Sequence, residues 1–132
     1  MRIMIDTNVL ISAALFPNSQ ISLLIKKVTD TQELVLCSYI IDELHEIFQR
    51  KFKEKTHLMD KFLYKLAYEL VYTPNDIKEV EYPEIRDKED LPIIVSALIS
   101  DIDIFITGDK DFFDVDIDKP EILSPREYLE KY

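Results

Sequence analysis

The chain has 132 residues, enough for one domain around a single core, and its 47% hydrophobic and 32% charged residues are globular proportions. Its net charge of −10 and sequence pI of about 4.6 argue against a passive nucleic-acid binder held by phosphate neutralisation. Cys37 is the one cysteine and reads as core, so no internal disulfide forms and a reducing cytoplasm is the expected compartment. No apolar run reaches the length of a membrane span, and Asp6 interrupts the apolar N-terminus before any signal-peptide cleavage site.

Ile3, Met4 and Ile5 form a β-prone run, and Val9, Leu10, Ile11, Ala13, Ala14, Leu15 and Phe16 follow with the density of a buried helix. Asp6 stands at the join. In parallel α/β sheets ligands bind beyond the carboxyl ends of the strands, which makes Asp6 a site candidate. Capping of the next helix by Asp6 or Thr7 explains the same residues when they are taken alone. Asn18 and Ser19 then precede Ile21, Leu24, Ile25 and Val28, spaced for one helix face. Leu34, Val35 and Leu36 suit a strand buried on both faces, and Ser38 stands where it caps the next helix.

That helix, expected over 39–52, has a buried arc of Ile40, Ile41, Leu44, Ile47 and Phe48. On a helical wheel Asp42 and Glu46 point roughly 160° from the centre of the arc and Glu43 roughly 100°. Glu43 is therefore the acid able to reach over the sheet edge toward Asp6. His45 lies on the other flank with no second His or Cys at ligand spacing, and reads as surface or packing. Between residues 49 and 65 lies the one basic island, Arg50, Lys51, Lys53, Lys55, Lys61 and Lys65 against Glu54 and Asp60. It reads either as a solvated helix face or as a nucleic-acid track, with Arg50, Lys51 and Lys53 as substrate-binding candidates.

The spacing of Leu58, Met59, Phe62, Leu63, Leu66, Leu70 and Val71 predicts a helix over 58–72. Tyr64, Tyr68 and Tyr72 would then form a stripe along it, suited to subunit contact more than to base stacking. Residues 73–88 read as an irregular connection with a short strand near 77–80. Arg86-Asp87-Lys88-Glu89-Asp90-Leu91-Pro92 opens an apolar helix, with Pro92 in the first turn where its missing N–H is harmless. Asp90 thus stands at a helix start. Capping accounts for it, yet such a place also favours the ionised carboxylate that a metal ligand must be.

Ile104, Phe105 and Ile106 are the last core strand, followed by Thr107-Gly108-Asp109-Lys110-Asp111-Phe112. Gly108 is the only glycine, and its place between a buried strand and two acids suggests a backbone geometry that side chains would obstruct. An ordinary strand-end turn would also want Gly108, Asp109 and Asp111, but the acids that precede them favour a place in one site. Glu121 to Leu123 read as an edge strand, and Pro125 starts a C-terminal helix ending at Tyr132.

Three α/β steps bring Asp6, Glu43 and Asp109 to the C-terminal ends of strands, and Asp90 opens the helix that feeds the strand before Asp109. So many carboxylates at one place repel one another unless divalent cations relieve them. Total charge would then misreport the site, since the ions set the local field. Oxygen-only ligands suit Mg²⁺ or Mn²⁺ and leave positions for water and a substrate phosphate, which is the equipment for phosphodiester hydrolysis.

Asp6-Thr7-Asn8, Glu43, Arg86-Asp87-x-x-Asp90 and Thr107-Gly108-Asp109-x-Asp111-Phe112 resemble, in order and spacing, the four acidic motifs of PIN domains. The terminal Ser124-Pro125-Arg126-Glu127-Tyr128-Leu129 is similar to the closing segment of a branch regarded as toxins of bacterial toxin-antitoxin pairs. The resemblance implies one α/β domain over 1–132, a Rossmann-like parallel sheet of order 3-2-1-4-5 flanked by helices, and a Mg²⁺- or Mn²⁺-dependent endoribonuclease. It implies a metal-binding quartet of Asp6, Glu43, Asp90 and Asp109, with Asp111 as helper and with Asn8 and Thr107 orienting carboxylates or water. An RNA substrate, a small antitoxin and a homodimer are the implied partners, and the homodimer would occupy the tyrosine stripe. The branch commonly has a second acid after Asp90, where this chain has Leu91. That leaves Asp87 as an alternative to Asp90, which is preferred for its helix-start position. Two other functions stay open: a non-catalytic PIN-like module binding RNA or protein, and an aspartyl-nucleophile phosphatase, against which Asn8 counts because a second acid is wanted there.

Overall fold

The strand that ends at Asp6 is the middle of the sheet. In the computed structural model, which describes residues 1–132, β1 (Arg2–Ile5) lies between β2 (Glu33–Cys37) and β4 (Ile104–Ile106). β3 (Glu69–Val71) pairs outside β2, and β5 (Glu121–Leu123) outside β4, all in parallel. The order is therefore 3-2-1-4-5. In register, Met4 faces Val35 on one side and Phe105 on the other. Ile3, Met4, Ile5, Leu34 to Cys37 and Ile104 to Ile106 are all buried, as continuous apolar strands must be in a parallel sheet covered by its crossover helices.

Those helices are α1 (Thr7–Leu15), α2 (Gln20–Thr31), α3 (Ser38–Lys51), α4 (Thr56–Lys65), α5 (Leu91–Ile99) and α6 (Pro125–Lys131). Ser19 caps α2 through the Ser22 N–H, and Ser124 with Glu127 makes a reciprocal capping box on α6. α5 buries Leu91, Ile93, Ile94, Val95, Ser96 and Ala97, the all-round burial of a core helix. The chain leaves it through Asp101 at φ 56°, a left-handed position that aspartate tolerates. No single helix is long and apolar enough to cross a membrane.

α3 follows its predicted wheel: Ile40, Leu44 and Phe48 are buried, Asp42 and Glu46 exposed, and Glu43 half-buried between them. His45 is exposed, and Cys37 is fully buried.

Five expectations are corrected. The helix predicted over 58–72 ends at Lys65, where Leu66 turns extended, and Glu69–Val71 forms β3. Pairing of Leu70 with Leu36 overrides a helical spacing that Leu70 and Val71 satisfied by coincidence. Tyr64, Tyr68 and Tyr72 therefore share no helix face: Tyr64 lies in the last turn of α4, while Tyr68 and Tyr72 flank β3. No strand forms near 77–80, where Glu79–Glu81 is a 3-10 turn. Ser38 does not cap α3; it is the first helical residue, and its hydroxyl accepts the Thr73 N–H at 2.9 Å. Gly108 has no positive φ, and a Cβ there would meet nothing within 4 Å, so no local crowding requires glycine.

Candidate active site

The strand order reverses between β1 and β4, so their C-terminal ends open the crevice where α/β sheets place ligands. Asp6 leaves β1 with its N–H donating to the Ile106 carbonyl of β4 at 2.9 Å. Its carboxylate is almost wholly buried, at 5% exposure. Oδ1 accepts the Thr7 N–H at 2.8 Å, and Oδ2 accepts the Thr107 hydroxyl at 2.7 Å. A helix cap normally reaches the N–H two or three residues on, so Asp6 faces the crevice more than it serves α1. Burial, opposed by those hydrogen bonds and reinforced by the charges of Glu43 and Asp109, raises its pKa to about 6.

Thr107, fully buried at the end of β4, ties two acids together. Its hydroxyl donates to Asp6 and accepts the Asp109 N–H at 3.0 Å. Asp109 in turn accepts the Asp111 N–H at 2.9 Å, which starts the 3-10 turn Lys110–Asp114. That turn is pinned by Phe112, whose buried ring meets Phe105 edge-on with centroids 4.9 Å apart. Burial of such a ring stabilises by about 1.5–3 kcal/mol and fixes both aspartates.

Asp87 and Asp90 part company here. Asp87 Oδ1 accepts the Glu89 N–H at 3.0 Å, the ordinary cap of the 3-10 turn Lys88–Asp90. Asp90 holds the N-cap position of α5 but makes no side-chain cap bond, and its Oδ2 is buried without a partner. Burial first, then the charges of Asp109, Asp87 and Asp6, raise its pKa to about 7. Capping therefore explains Asp87 and leaves Asp90 unexplained. Asp87, Asp90 and Asp111 each offer one oxygen, and the three lie within 4.8 Å of one another.

Glu43 joins from α3 through the Thr7 hydroxyl, which donates to its Oε1. Thr7 was missed by sequence reasoning; a threonine directly after the strand-end acid was its only signal. Asn8, expected to orient the acids, is exposed, and no hydrogen bond links its side chain to them. Tyr39, one turn before Glu43, donates its hydroxyl to the Glu89 carbonyl at 2.9 Å. Burial and the facing carboxylates, Glu43 foremost, push its phenol up. Arg50, Lys51 and Lys53 are exposed at and beyond the end of α3, about 10 Å or more along the chain axis from Glu43. None of them is ion-paired.

The donor set is all oxygen, with one buried orphan and two carboxyls that hold their protons toward neutrality. Such a set suits a hard divalent cation, whose charge would relieve both conditions.

A family model described as PIN domain matches residues 2–111. No curated protein matches the chain. Among solved structures, a chain from the crystal structure of VapBC2 from Rickettsia felis, bound to a DNA fragment from their promoter, has a TM-score of 0.69 at 18% identity. The likeness spans 93% of this chain and 97% of that one, and at this identity it speaks for the fold. With the family model covering most of its length and the sheet in the order 3-2-1-4-5, the chain belongs to the PIN domain family.

Proposed function

We propose that this protein is a divalent-metal-dependent endoribonuclease and the toxin of a toxin-antitoxin pair. The observation that carries the metal-dependent nuclease reading is Asp90: a helix-start aspartate that caps nothing, with a buried unpartnered oxygen facing other acids. Asp6, Glu43, Asp90 and Asp109 would hold Mg²⁺ or Mn²⁺, with Asp111 and Asp87 beside them, and the ion would supply activation of a water and neutralisation of phosphate charge.

The chain's own groups then have distinct tasks. Thr107 and Thr7 hold the carboxylates of Asp6 and Glu43 in fixed rotamers before any ion arrives. Phe112 keeps the turn of Asp109 and Asp111 against the sheet. Arg50, Lys51 and Lys53, free of ion pairs, attract the phosphates of an RNA whose approach the overall charge of −10 would oppose. The toxin role rests on the resemblance of the closing segment and on the shared fold with a chain of VapBC2. A small antitoxin and a second copy of the chain are the proposed partners, in a cytoplasmic setting.

Purified protein incubated with single-stranded RNA is expected to cleave it with Mg²⁺ or Mn²⁺ and to stop in EDTA. Asp6→Asn should lose the activity; cleavage at the parental rate would overturn the assignment. Growth arrest on expression, relieved by co-expressing a small protein from the adjacent reading frame, tests the toxin role.

A further inference from the structure

Among Asp6, Glu43, Asp87, Asp90, Asp109 and Asp111, only Asp111 has a cation within ion-pair distance. Arg86 Nη1 lies 3.8 Å from its Oδ1, and the Arg86 side chain is 82% exposed. Such a long, solvated pair holds little, so a phosphate that offers the guanidinium two oxygens takes it over readily.

Arg86 also lines an open cleft of about 660 Å³. The segment carrying Tyr82, Pro83 and Ile85 and the 3-10 turn with Asp111 and Asp114 both line it. The cleft shares Asp111 with the group of Asp87, Asp90 and Asp111, and Leu91, which follows Asp90, forms part of its lining. A phosphate at the carboxylates would therefore have this cleft beside it. Its volume is that of a small-molecule site. An aromatic ring and apolar side chains beside one arginine match the alternation of base and phosphate in a single strand.

The other charges narrow the occupant further. Glu79, Glu84 and Asp114 line the cleft, and Lys88 is held by Glu79 at 3.2 Å. Those acids repel a run of phosphates or a duplex, and Arg86, in the longer of the cleft's two ion pairs, is the cation more readily released to a single phosphate. We propose that this cleft is the subsite for one unpaired nucleotide adjoining the scissile bond, with Tyr82 against its base and Arg86 on its phosphate. The assignment rests on the nuclease reading above.

The test uses the full chain and a fluorescein-labelled single-stranded RNA decamer. Anisotropy in EDTA measures binding without turnover, and Mn²⁺-dependent cleavage is followed in parallel. Arg86→Gln is expected to weaken binding and raise KM about tenfold with kcat within about twofold, as loss of a charge-assisted phosphate contact should. It should also reduce the salt slope of log K by about 0.7. Tyr82→Ala is expected to weaken binding by about fivefold or more, while Tyr82→Phe retains it. Arg126→Gln, on the exposed face of α6, should change nothing. A duplex RNA of the same length should compete at least about tenfold less well. If the parent cleaves the decamer but Arg86→Gln and Tyr82→Ala leave affinity, KM and salt slope unchanged, the subsite is wrong while the nuclease reading stands. If the duplex competes equally, the single-strand assignment is wrong. If the parent binds through Arg86 and Tyr82 yet cleaves nothing with either ion, the nuclease reading fails instead.

Discussion

Thr73 Oγ1 and Ser96 Oγ lie 2.8 Å apart, and the bond between them completes a directed chain of hydrogen bonds across the site. The Tyr39 N–H of α3 donates to the Thr73 hydroxyl, and the Ser96 hydroxyl donates to the Pro92 carbonyl of α5 at 2.8 Å. Thr73 must then be the donor to Ser96. One end of this chain is four residues from Glu43 and the other two residues from Asp90, so it links α3 to α5 near both acids. It also explains a serine buried in an otherwise apolar helix.

Thr73→Val should cost about 1–3 kcal/mol, because the Tyr39 N–H loses its acceptor and Ser96 Oγ loses its donor while keeping the Pro92 carbonyl, and should lower the melting temperature by several degrees. If the chain positions the acids, the Kd for Mn²⁺ measured by calorimetry rises as well, and Thr73→Ser restores it. Loss of stability with unchanged Mn²⁺ affinity would limit the chain to a structural role.

The stability of the metal-free protein should fall as pH rises. Asp6 and Asp90 titrate near 3.8 in an unfolded chain but near 6 and 7 when folded. Between those values the folded state binds more protons than the unfolded state, so stability decreases with pH and the loss is complete above about pH 7. The Asp6 step alone is worth up to about 3 kcal/mol at about 1.4 kcal/mol per pH unit. Asp103 and Glu121, whose carboxyls are lowered by hydrogen bonds from the Arg2 N–H and from Lys131, act in the opposite sense but are solvated and weak. Melting in EDTA should therefore be higher at pH 5.5 than at pH 7.5, and Asp6→Asn should flatten the difference. A parent that melts higher at pH 7.5 without metal would contradict this.

Asp90→Asn should separate stability from metal binding. The amide removes a buried charge that has no partner, so the metal-free variant is expected to melt at or above the parental temperature at pH 7.5. The parent should gain stability with added Mn²⁺ by mass action, whereas the variant should gain much less. Equal stabilisation of both by Mn²⁺ would remove Asp90 from the ligand set and favour Asp87.

Much of this arrangement was legible in the chain. Helical phase placed Glu43 on the flank of α3, and the continuous apolar runs located β1, β2 and β4. The acids at strand ends and a helix start were visible as a pattern because each lies beside an apolar run, Asp6 after β1, Asp90 before α5 and Asp109 just past β4. What escaped was set by tertiary pairing. β3 follows α4 without a glycine or proline to mark the change, and only its ladder with β2 makes it a strand. Thr7 and Thr73 act through hydroxyls whose partners lie 36 and 23 residues away, a distance no local spacing encodes.

Gly108 is the instructive failure. Its singularity suggested an obligatory backbone geometry, but its φ is ordinary and the space around a new Cβ is empty. Gly108→Ala should therefore fold normally and match or exceed the parental stability by about 0.4–1 kcal/mol, since alanine restricts the unfolded chain. Because Gly108 is exposed between Thr107 and Asp109, its missing side chain leaves room beside the acids instead of relieving strain. Denaturant titration measures the first effect and KM for the RNA decamer the second. A raised KM at undiminished stability would make this glycine a clearance for substrate, whereas unchanged KM and stability would show that the chain's one glycine is dispensable to both.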